Sequence, residues 1–317
     1  MSSTIRAPVP ATAPASERAA HVRLVLCMLF WGQMVPGFVV LLQVWDPFAL
    51  AAVRYLLSAP LMLGLLWLRF RRIDLPPLDE IGRLVLLGTV GMGCFVMFYT
   101  IGLAFADPVS AIVVQTASPL LHTAIAVLVY REKAPAGLAA ALALVIPGGL
   151  LLAAPAWMGT GQMSFRGGEF LLILGSLCWS WYSLQCRRWL PHYDEIRLTA
   201  WTMVSAVPFL LGLFLALLAL GLTRFPDVMP SAGANLLLLY LVVSSSCVGI
   251  VLWHGGVGRL GLATAALYYN IAPLFAILIG MAMGFMPNLW QWLGGGLVLA
   301  GVGQIHLRRY RALRRSA

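Results

Sequence analysis

Gln115, Ser118 and His122 stand in the stretch VVQTASPLLH, residues 113–122, with apolar residues on both sides. With Ala111 they follow an i, i+4, i+7, i+11 spacing, which sets all four on one face of a helix. Three of the four exchange hydrogen bonds, so the face suits a polar solute; bonding between helices is the other use of such a stripe. His122 could bind that solute or relay a proton, because an imidazole titrates near neutral pH. A satisfied interior histidine is the plainer reading. Pro119, in the same stretch, removes an amide donor and crowds the carbonyl of Gln115, four residues back. The arrangement returns in LYYNIAPLFA, residues 267–276, where Pro273 crowds the carbonyl of Tyr269, beside Asn270.

Arg54 is the one basic residue deep inside an apolar segment. A charge there costs several kcal/mol unless something relieves it. It could meet a substrate carboxylate, or stabilise the fold through helix-end carbonyls and water. Trp31, Gln33, Tyr99, Trp179 and Tyr182 also lie well inside apolar segments. The aromatic rings could line a cavity and stack on an apolar or aromatic solute; packing is the alternative for each singly. There is no Walker motif, no GxGxxG after a strand and no HExxH, so nothing points to ATP-driven transport or protease chemistry. No cofactor is expected. Cys27, Cys94, Cys178, Cys186 and Cys247 all fall in apolar runs without a CxxC pair. They read as small buried hydrophobes and not as metal ligands.

The segments that must carry these residues are set by composition. Of 317 residues, 61% are hydrophobic and 10% charged, against roughly 25% charged in a soluble domain. Such a chain cannot cover a soluble surface, so the expected fold is an all-α polytopic membrane protein. The net charge of +10 does not indicate nucleic acid, because the basic residues are scattered in short clusters between apolar runs. A span needs about 20 apolar residues. Cutting at charges and Pro/Gly clusters gives ten of them, near 22–43, 46–69, 82–104, 107–130, 135–155, 168–187, 196–220, 233–254, 260–282 and 288–307. With the N-terminus in the cytoplasm, eighteen of the 21 Lys and Arg residues fall on the cytoplasmic side and only Arg166 and Arg224 outside. That asymmetry fits ten spans with both termini inside. Residues 1–21, rich in Ala, Pro and Ser, read as a disordered cytoplasmic tail rather than a removed signal peptide.

A shift of 154 residues lays Gly102 on Gly256, Ser110 on Thr264, Ala111 on Ala265, Pro119 on Pro273 and Leu120 on Leu274; a shift of 148 lays Trp31 on Trp179. The chain therefore divides into a first repeat over 22–155, an external linker over 156–167, a second repeat over 168–307 and a basic tail over 308–317. Five helices per repeat is an odd number, so the second repeat enters the membrane upside down. Inverted repeats mark transporters that alternate access around a midplane site. Both prolines lie near that midplane, and unpaired backbone at such depth persists where protein or a wet cavity satisfies it. The two breaks are read as two halves of one substrate site, with a packing kink as the alternative.

The segments FWGQMVPGFVV (30–40), DPFALAAVRYLLSAP (46–60) and GLAFADPVSAIVVQTASPLLHTAIAVLVYREK (102–133), followed by GLATAALYYNIAPLFAILIG (261–280) and LGGGLVLAGV (293–302), resemble the drug/metabolite transporter superfamily, specifically the EamA-type transporters. Each motif is short; their order and spacing over 22–307 carry the resemblance. It implies ten helices in two five-helix repeats around a central cavity, and transport of small organic metabolites, often export of amino acids. It also implies an arginine at position 54 across varied substrates, which favours a structural role there. The family commonly has an acidic residue after the fourth helix of each repeat. Here the first is Glu132, and the position 154 residues on is Met286.

The expected function is a secondary transporter in the inner (plasma) membrane, exporting amino acids or related metabolites, with proton coupling an open possibility. No carboxylate falls at the midplane to carry a proton. A channel-like facilitator or uniporter is the nearest alternative. A membrane enzyme or sensor would need a nucleophile–base set or a signalling domain. The substrate-site candidates are Trp31, Gln33, Arg54, Tyr99, Gln115, Ser118, Pro119, His122, Trp179, Tyr182, Tyr269, Asn270 and Pro273. Partners are a small solute and the lipid bilayer, with no nucleic acid; oligomeric state is not legible.

Overall fold

A computed structural model describes residues 14–106, 108–134, 137–160, 166–226, 229–282 and 286–315. Regular structure among them is all helical. In chain order, α1 is Pro14–Gly32, continued past one turn residue, Gln33, by Met34–Leu41. Then come α2 (Pro47–Phe70), α3 (Leu78–Phe105), α4 (Pro108–Ala124, widening to a π-helix over Ile125–Val129) and α5 (Leu138–Thr160). The second half holds α6 (Gly168–Trp189), α7 (Glu195–Ala219), α8 (Ala232–Leu260) and α10 (Leu289–Arg315). Between α8 and α10, α9 starts as Leu262–Ala266, tightens to 3-10 over Leu267–Ile271 and resumes as Ala272–Ala282.

Three helices begin where the side chain of the capping residue closes open amides of the first turn. Asp46 accepts from the amides of Phe48 and Ala49 ahead of α2, with Pro47 in the first position, where a missing amide costs nothing. Asp194 does the same for Ile196 and Arg197 at the head of α7, and Ser231 for Ala234 at the head of α8. Six stretches are long and apolar enough to cross a membrane: Glu17–Leu41, Pro47–Phe70, Leu78–Phe105, Glu195–Ala219, Ala232–Leu260 and Leu262–Ile279. Ala117–Val129 and Leu138–Leu152 are shorter apolar helices.

Two expected boundaries move. Residues 1–13 of the expected disordered tail lie outside the described residues, whereas 14–21 form the first turns of α1. At the other end α10 runs on through Arg315, into residues expected to be tail. Of the expected linker 156–167, residues through Thr160 belong to α5, and 161–165 lie outside the described residues.

Helix contacts exchange under the repeat. The pairing of α3 with α6 is matched by α8 with α1, and that of α4 with α6 by α9 with α1. The pairs α2 with α7 and α5 with α10 exchange into themselves, so they lie on the pseudo-twofold axis. The α5–α10 pair closes backbone to backbone: a Cβ on Gly148 would stand 2.8 Å from the carbonyl oxygen of Gly294, and one on Gly294 would stand 2.5 Å from that of Gly148. Small residues permit such approach, which drives helix association where lipid removes the hydrophobic term. The repeat also shows in backbone defects. A π-helical stretch in α3, Leu87–Gly93, has its counterpart in α8, Val242–Val248. The expected pair of proline breaks is unequal. Ahead of Pro273 the chain tightens to 3-10, whereas α4 stays α-helical through Pro119 and widens only from Ile125.

Candidate substrate site

An aromatic cluster occupies the meeting place of α1, α6, α8 and α9. Trp31 lies 5.6 Å from Trp179, 5.4 Å from Trp253 and 5.7 Å from Tyr269, ring centre to ring centre. Trp179 to Trp253 is 6.0 Å and Trp253 to Tyr269 is 5.1 Å. These tilted, edge-on and offset geometries are those aromatic quadrupoles prefer. The backbones close in here as well, since a Cβ on Gly32 would stand 2.4 Å from the carbonyl oxygen of Ala272.

From this cluster the rings continue in two directions. On one side His122 stacks on Tyr269 at 4.9 Å. On the other, Phe95 lies 4.7 Å from Trp179 and 5.6 Å from Tyr99. Tyr99 is 6.4 Å from Phe38, and the guanidinium of Arg54 sits 4.5 Å over the Phe38 ring. A single ribbon of rings thus joins the imidazole of His122 to the charge of Arg54. It takes side chains from α1, α2, α3, α4, α6, α8 and α9.

Polar groups fringe the ribbon. The Tyr99 hydroxyl donates to Gln115 Oε1 at 3.3 Å. His122 Nδ1 meets Ser180 Oγ, whose own proton goes to the Ser176 carbonyl at 2.8 Å. That bond leaves Ser180 Oγ able to accept from the imidazole. Tyr182 Oη lies 2.9 Å from both Thr202 Oγ1 and His254 Nε2. Trp253 Nε1 donates to Ser183 Oγ at 3.0 Å, and Trp31 Nε1 to the Ser245 carbonyl at 3.1 Å. Arg54 Nη2 donates to Ser246 Oγ at 3.1 Å.

Of the residues singled out from sequence, Trp31, Trp179, Tyr182, Tyr269, His122 and Tyr99 come together in the ribbon, with Gln115 and Arg54 attached to it. The stripe on α4 turns inward: Ala111 and His122 are buried, and Gln115 and Ser118 are half-buried. Pro119 is buried and Pro273 half-buried. Gln33 and Asn270 stand apart. Gln33 donates to Ser244 Oγ at 3.1 Å and accepts from the Tyr240 hydroxyl at 2.6 Å. Asn270 donates to the Val145 carbonyl at 3.3 Å, tying α9 to α5.

Phe38, Phe95, Trp253, His254 and Ser246 join the site, though none is among the substrate-site candidates drawn from the sequence. Trp253 had a signal, since it lies 154 residues after Tyr99. The ribbon is therefore built from two sets of repeat mates, Trp31 with Trp179 and Tyr99 with Trp253. Phe38 and Phe95 had none, because a phenylalanine in an apolar run looks the same whether it faces lipid, core or site.

A separate polar layer lies at one end of the bundle. Arg187 donates to Glu132 Oε1 at 2.9 Å, while Glu132 Oε2 takes the amides of Leu262 and Ala263 at 3.1 and 3.4 Å. Arg23 pairs with Glu195 at 2.8 Å and Arg197 with Asp74 at 3.0 Å. Glu80 takes His192 at 3.0 Å and the Tyr193 hydroxyl at 2.8 Å. Burial, with the hydrogen bond to Glu80, holds the Tyr193 phenol well above its ordinary range. Met286, where a second acidic residue was in question, is exposed. Every described carboxylate sits at a helix end or in a loop. Among the described residues no cluster of His, Cys, Asp and Glu could hold a metal.

The sequence profile of the EamA-like transporter family matches residues 19–154 and 166–305. The uncharacterized inner membrane transporter YedA of Escherichia coli (strain K12) is 25% identical over 291 residues, covering 89% of each chain. A probable terminal-alkyne amino-acid exporter of Streptantibioticus cattleyicolor is 24% identical over 296 residues, covering 93% of this chain and 95% of its own. A crystal structure of a protein superposes with a TM-score of 0.74 at 18% identity, over 93% of this chain and 99% of the other, a likeness of fold alone.

Proposed function

Because the chain belongs to the EamA-like transporter family, we propose that it is a secondary transporter that exports small organic metabolites, amino acids or related compounds, across the inner membrane. It works by alternating access, with the aromatic ribbon as the route. The observation that carries this reading is the exchange of helix contacts around that ribbon. The α1–α9 and α4–α6 pairs are mates under the repeat, and both border the same rings. A bundle with two equivalent packings can open either way around one site at similar cost.

All ten helices cross the membrane in this reading, as two inverted five-helix repeats. The layer of Glu132, Arg187, Glu195 and Asp74 faces the cytoplasm, as does each terminus, because the Lys and Arg residues gather on that side. Trp31, Tyr99, Trp179, Tyr182 and Tyr269 give the solute apolar and stacking surface, with Gln115, Ser118 and His122 along its edge. The candidate prolines shape the two helices that border the ribbon. Export of amino-acid-like solutes finds support in the name of the S. cattleyicolor relative, and the inner membrane in that of YedA.

Uptake into proteoliposomes holding purified protein, screened over amino acids and other small metabolites with and without a pH gradient, tests this. Saturable uptake and counterflow of a preloaded solute are expected. Flux without saturation or counterflow would make the protein a facilitator instead.

A further inference from the structure

Among the described residues Arg54 is the one buried arginine or lysine, 4% exposed. A guanidinium presents five donors in a fixed fork and cannot shed its proton. Among the described residues it makes one hydrogen bond, to Ser246, and lays one face on Phe38. Among the described residues its buried Nε has no partner, and no ion pair includes it. The nearest acid in sequence is Asp46, which caps the same helix but is about 12 Å away by the helical rise. The Oδ1 of Asp46 already serves the amides of Phe48 and Ala49 and the hydroxyl of Thr223. No bond from its fork to a helix-end carbonyl is among its contacts in the described residues. What Arg54 meets is one hydroxyl and one ring.

The direction of the ring matters. Phe38 leads to Tyr99, then Phe95 and then Trp179, so the charge caps one end of an aromatic path. On the far side, Ser246 belongs to the π-helical stretch Val242–Val248. Such bulges recur at functional sites because they turn backbone and side chains off the regular helix. A cation short of an acid, at the end of an apolar path, fits an anion that arrives with an apolar body.

We infer that Arg54 anchors the carboxylate of the transported molecule, whose aromatic or bulky apolar body lies along Phe38, Tyr99 and Phe95. This rests on the transport reading above and narrows it to carboxylates. The carboxylate binds bidentately, as planar forks match, and Ser246 holds the guanidinium in place. No described carboxylate borders the ribbon, so an amino group on the solute gains little. A deaminated acid then does as well as the amino acid.

Four probes of one shape decide it: phenylalanine, 3-phenylpropanoate, phenylalanine amide and 2-phenylethylamine. Binding is read by thermal stabilisation of the purified full chain in detergent, and transport by uptake into proteoliposomes. The two carboxylates are expected to bind at least tenfold more tightly than the amide and the amine. In R54Q the acid-to-amide ratio falls to within about twofold, and in R54K, which keeps the charge but loses the fork, it falls to an intermediate value. Wild-type protein that takes the amide as well as the acid overturns the inference, whatever the variants do. So does a folded R54Q that keeps the tenfold preference. Protein that transports solutes without favouring carboxylates loses only the Arg54 anchor. Protein that moves no solute from a broad panel of acids, amines and neutral compounds loses the transport reading itself.

Discussion

Arg187, in the last turn of α6, donates to Glu132 Oε1 at 2.9 Å, while the other oxygen of that carboxylate takes the Leu262 and Ala263 amides at the head of α9. One carboxylate thus joins the ends of α4 and α6 to the start of α9. Its two sides are unequal. The Arg187 side chain is 39% exposed, so water screens the pair and its worth is at most about 1 kcal/mol. The amides of α9 have no helical partner, and losing a capping oxygen costs roughly 0.5–2 kcal/mol. E132A is therefore expected to lower the melting temperature in detergent more than R187A does. An R187A variant that loses as much as E132A would put the stabilisation in the ion pair.

Gly32 and Gly64 test the crossing at the ribbon. A Cβ at Gly32 meets the Ala272 carbonyl at 2.4 Å, whereas one at Gly64 meets nothing within 4 Å. Backbone cannot step aside as a side chain can. G32A is expected to cost about 1–3 kcal/mol of stability as α1 and α9 are forced apart, with a loss of transport. G64A is expected to be stabilising by roughly 0.4–1 kcal/mol, through the unfolded chain. Matched melting curves check both. Equal behaviour of the two would mean α1 and α9 do not pack this closely in the membrane.

The proposed sidedness is tested by single cysteines. Leu75 and Met229 are 78% and 87% exposed, so each offers an accessible sulfur. Cys27, Cys186 and Cys247 are buried, and Cys94 and Cys178 are half-buried, so background labelling starts low. A cysteine at Met229 should react with an impermeant thiol reagent in intact cells, and one at Leu75 only after the cells are opened. Reaction at Leu75 in intact cells would overturn the ten-crossing reading.

Much of this arrangement is legible in the sequence, and the reasons are local. Asp46-Pro47 and Asp194 announce helix starts because a cap and its amides are neighbours in the chain. Trp31 and Trp179 announce a shared centre because the repeat marks both. The π-helical stretches in α3 and α8 carry no such signal. A shifted hydrogen-bond register is set by what packs against the helix, not by residues such as Leu87 or Val242 themselves. The role of Glu132 was hidden for the same reason, because its partners at Leu262 and Ala263 are remote in sequence.

The prolines show where a sound local argument overreached. From the sequence, Pro119 and Pro273 are equivalent breakers. In the fold only Pro273 follows a 3-10 stretch, Leu267–Ile271, while α4 stays α-helical through Pro119. The tightened turn carries Tyr269 into the ribbon. P273A is therefore expected to relax that stretch toward an α-helix, swing Tyr269 and lower the initial uptake rate more than P119A does. Each substitution should preserve or raise stability, since interior proline costs about 3 kcal/mol in a simple helix. Uptake at matched protein checks the order, and equal losses would restore the symmetric reading.

Tyr99 and Gln115 offer the sharpest test of whether the stripe on α4 works with the ribbon or merely borders it. The Tyr99 hydroxyl, 3.3 Å from Gln115 Oε1, makes the one hydrogen bond between the stripe and the rings of α3 among the described residues. Y99F removes the donor and keeps the ring. Q115A removes the acceptor and leaves the helix face otherwise intact. A hydrogen bond of this kind is worth roughly 0.5–1.5 kcal/mol, so each single change should reduce solute affinity by a few-fold while membrane expression stays near that of the unchanged chain. If the two groups act through their mutual bond, the second loss has nothing left to remove. The double variant should then bind about as well as either single one, a coupling of the size found for groups in contact. Three affinities and the unchanged protein close the cycle. Losses that add in full would mean that Gln115 and Tyr99 meet the solute separately, and that the bond between them does not position either.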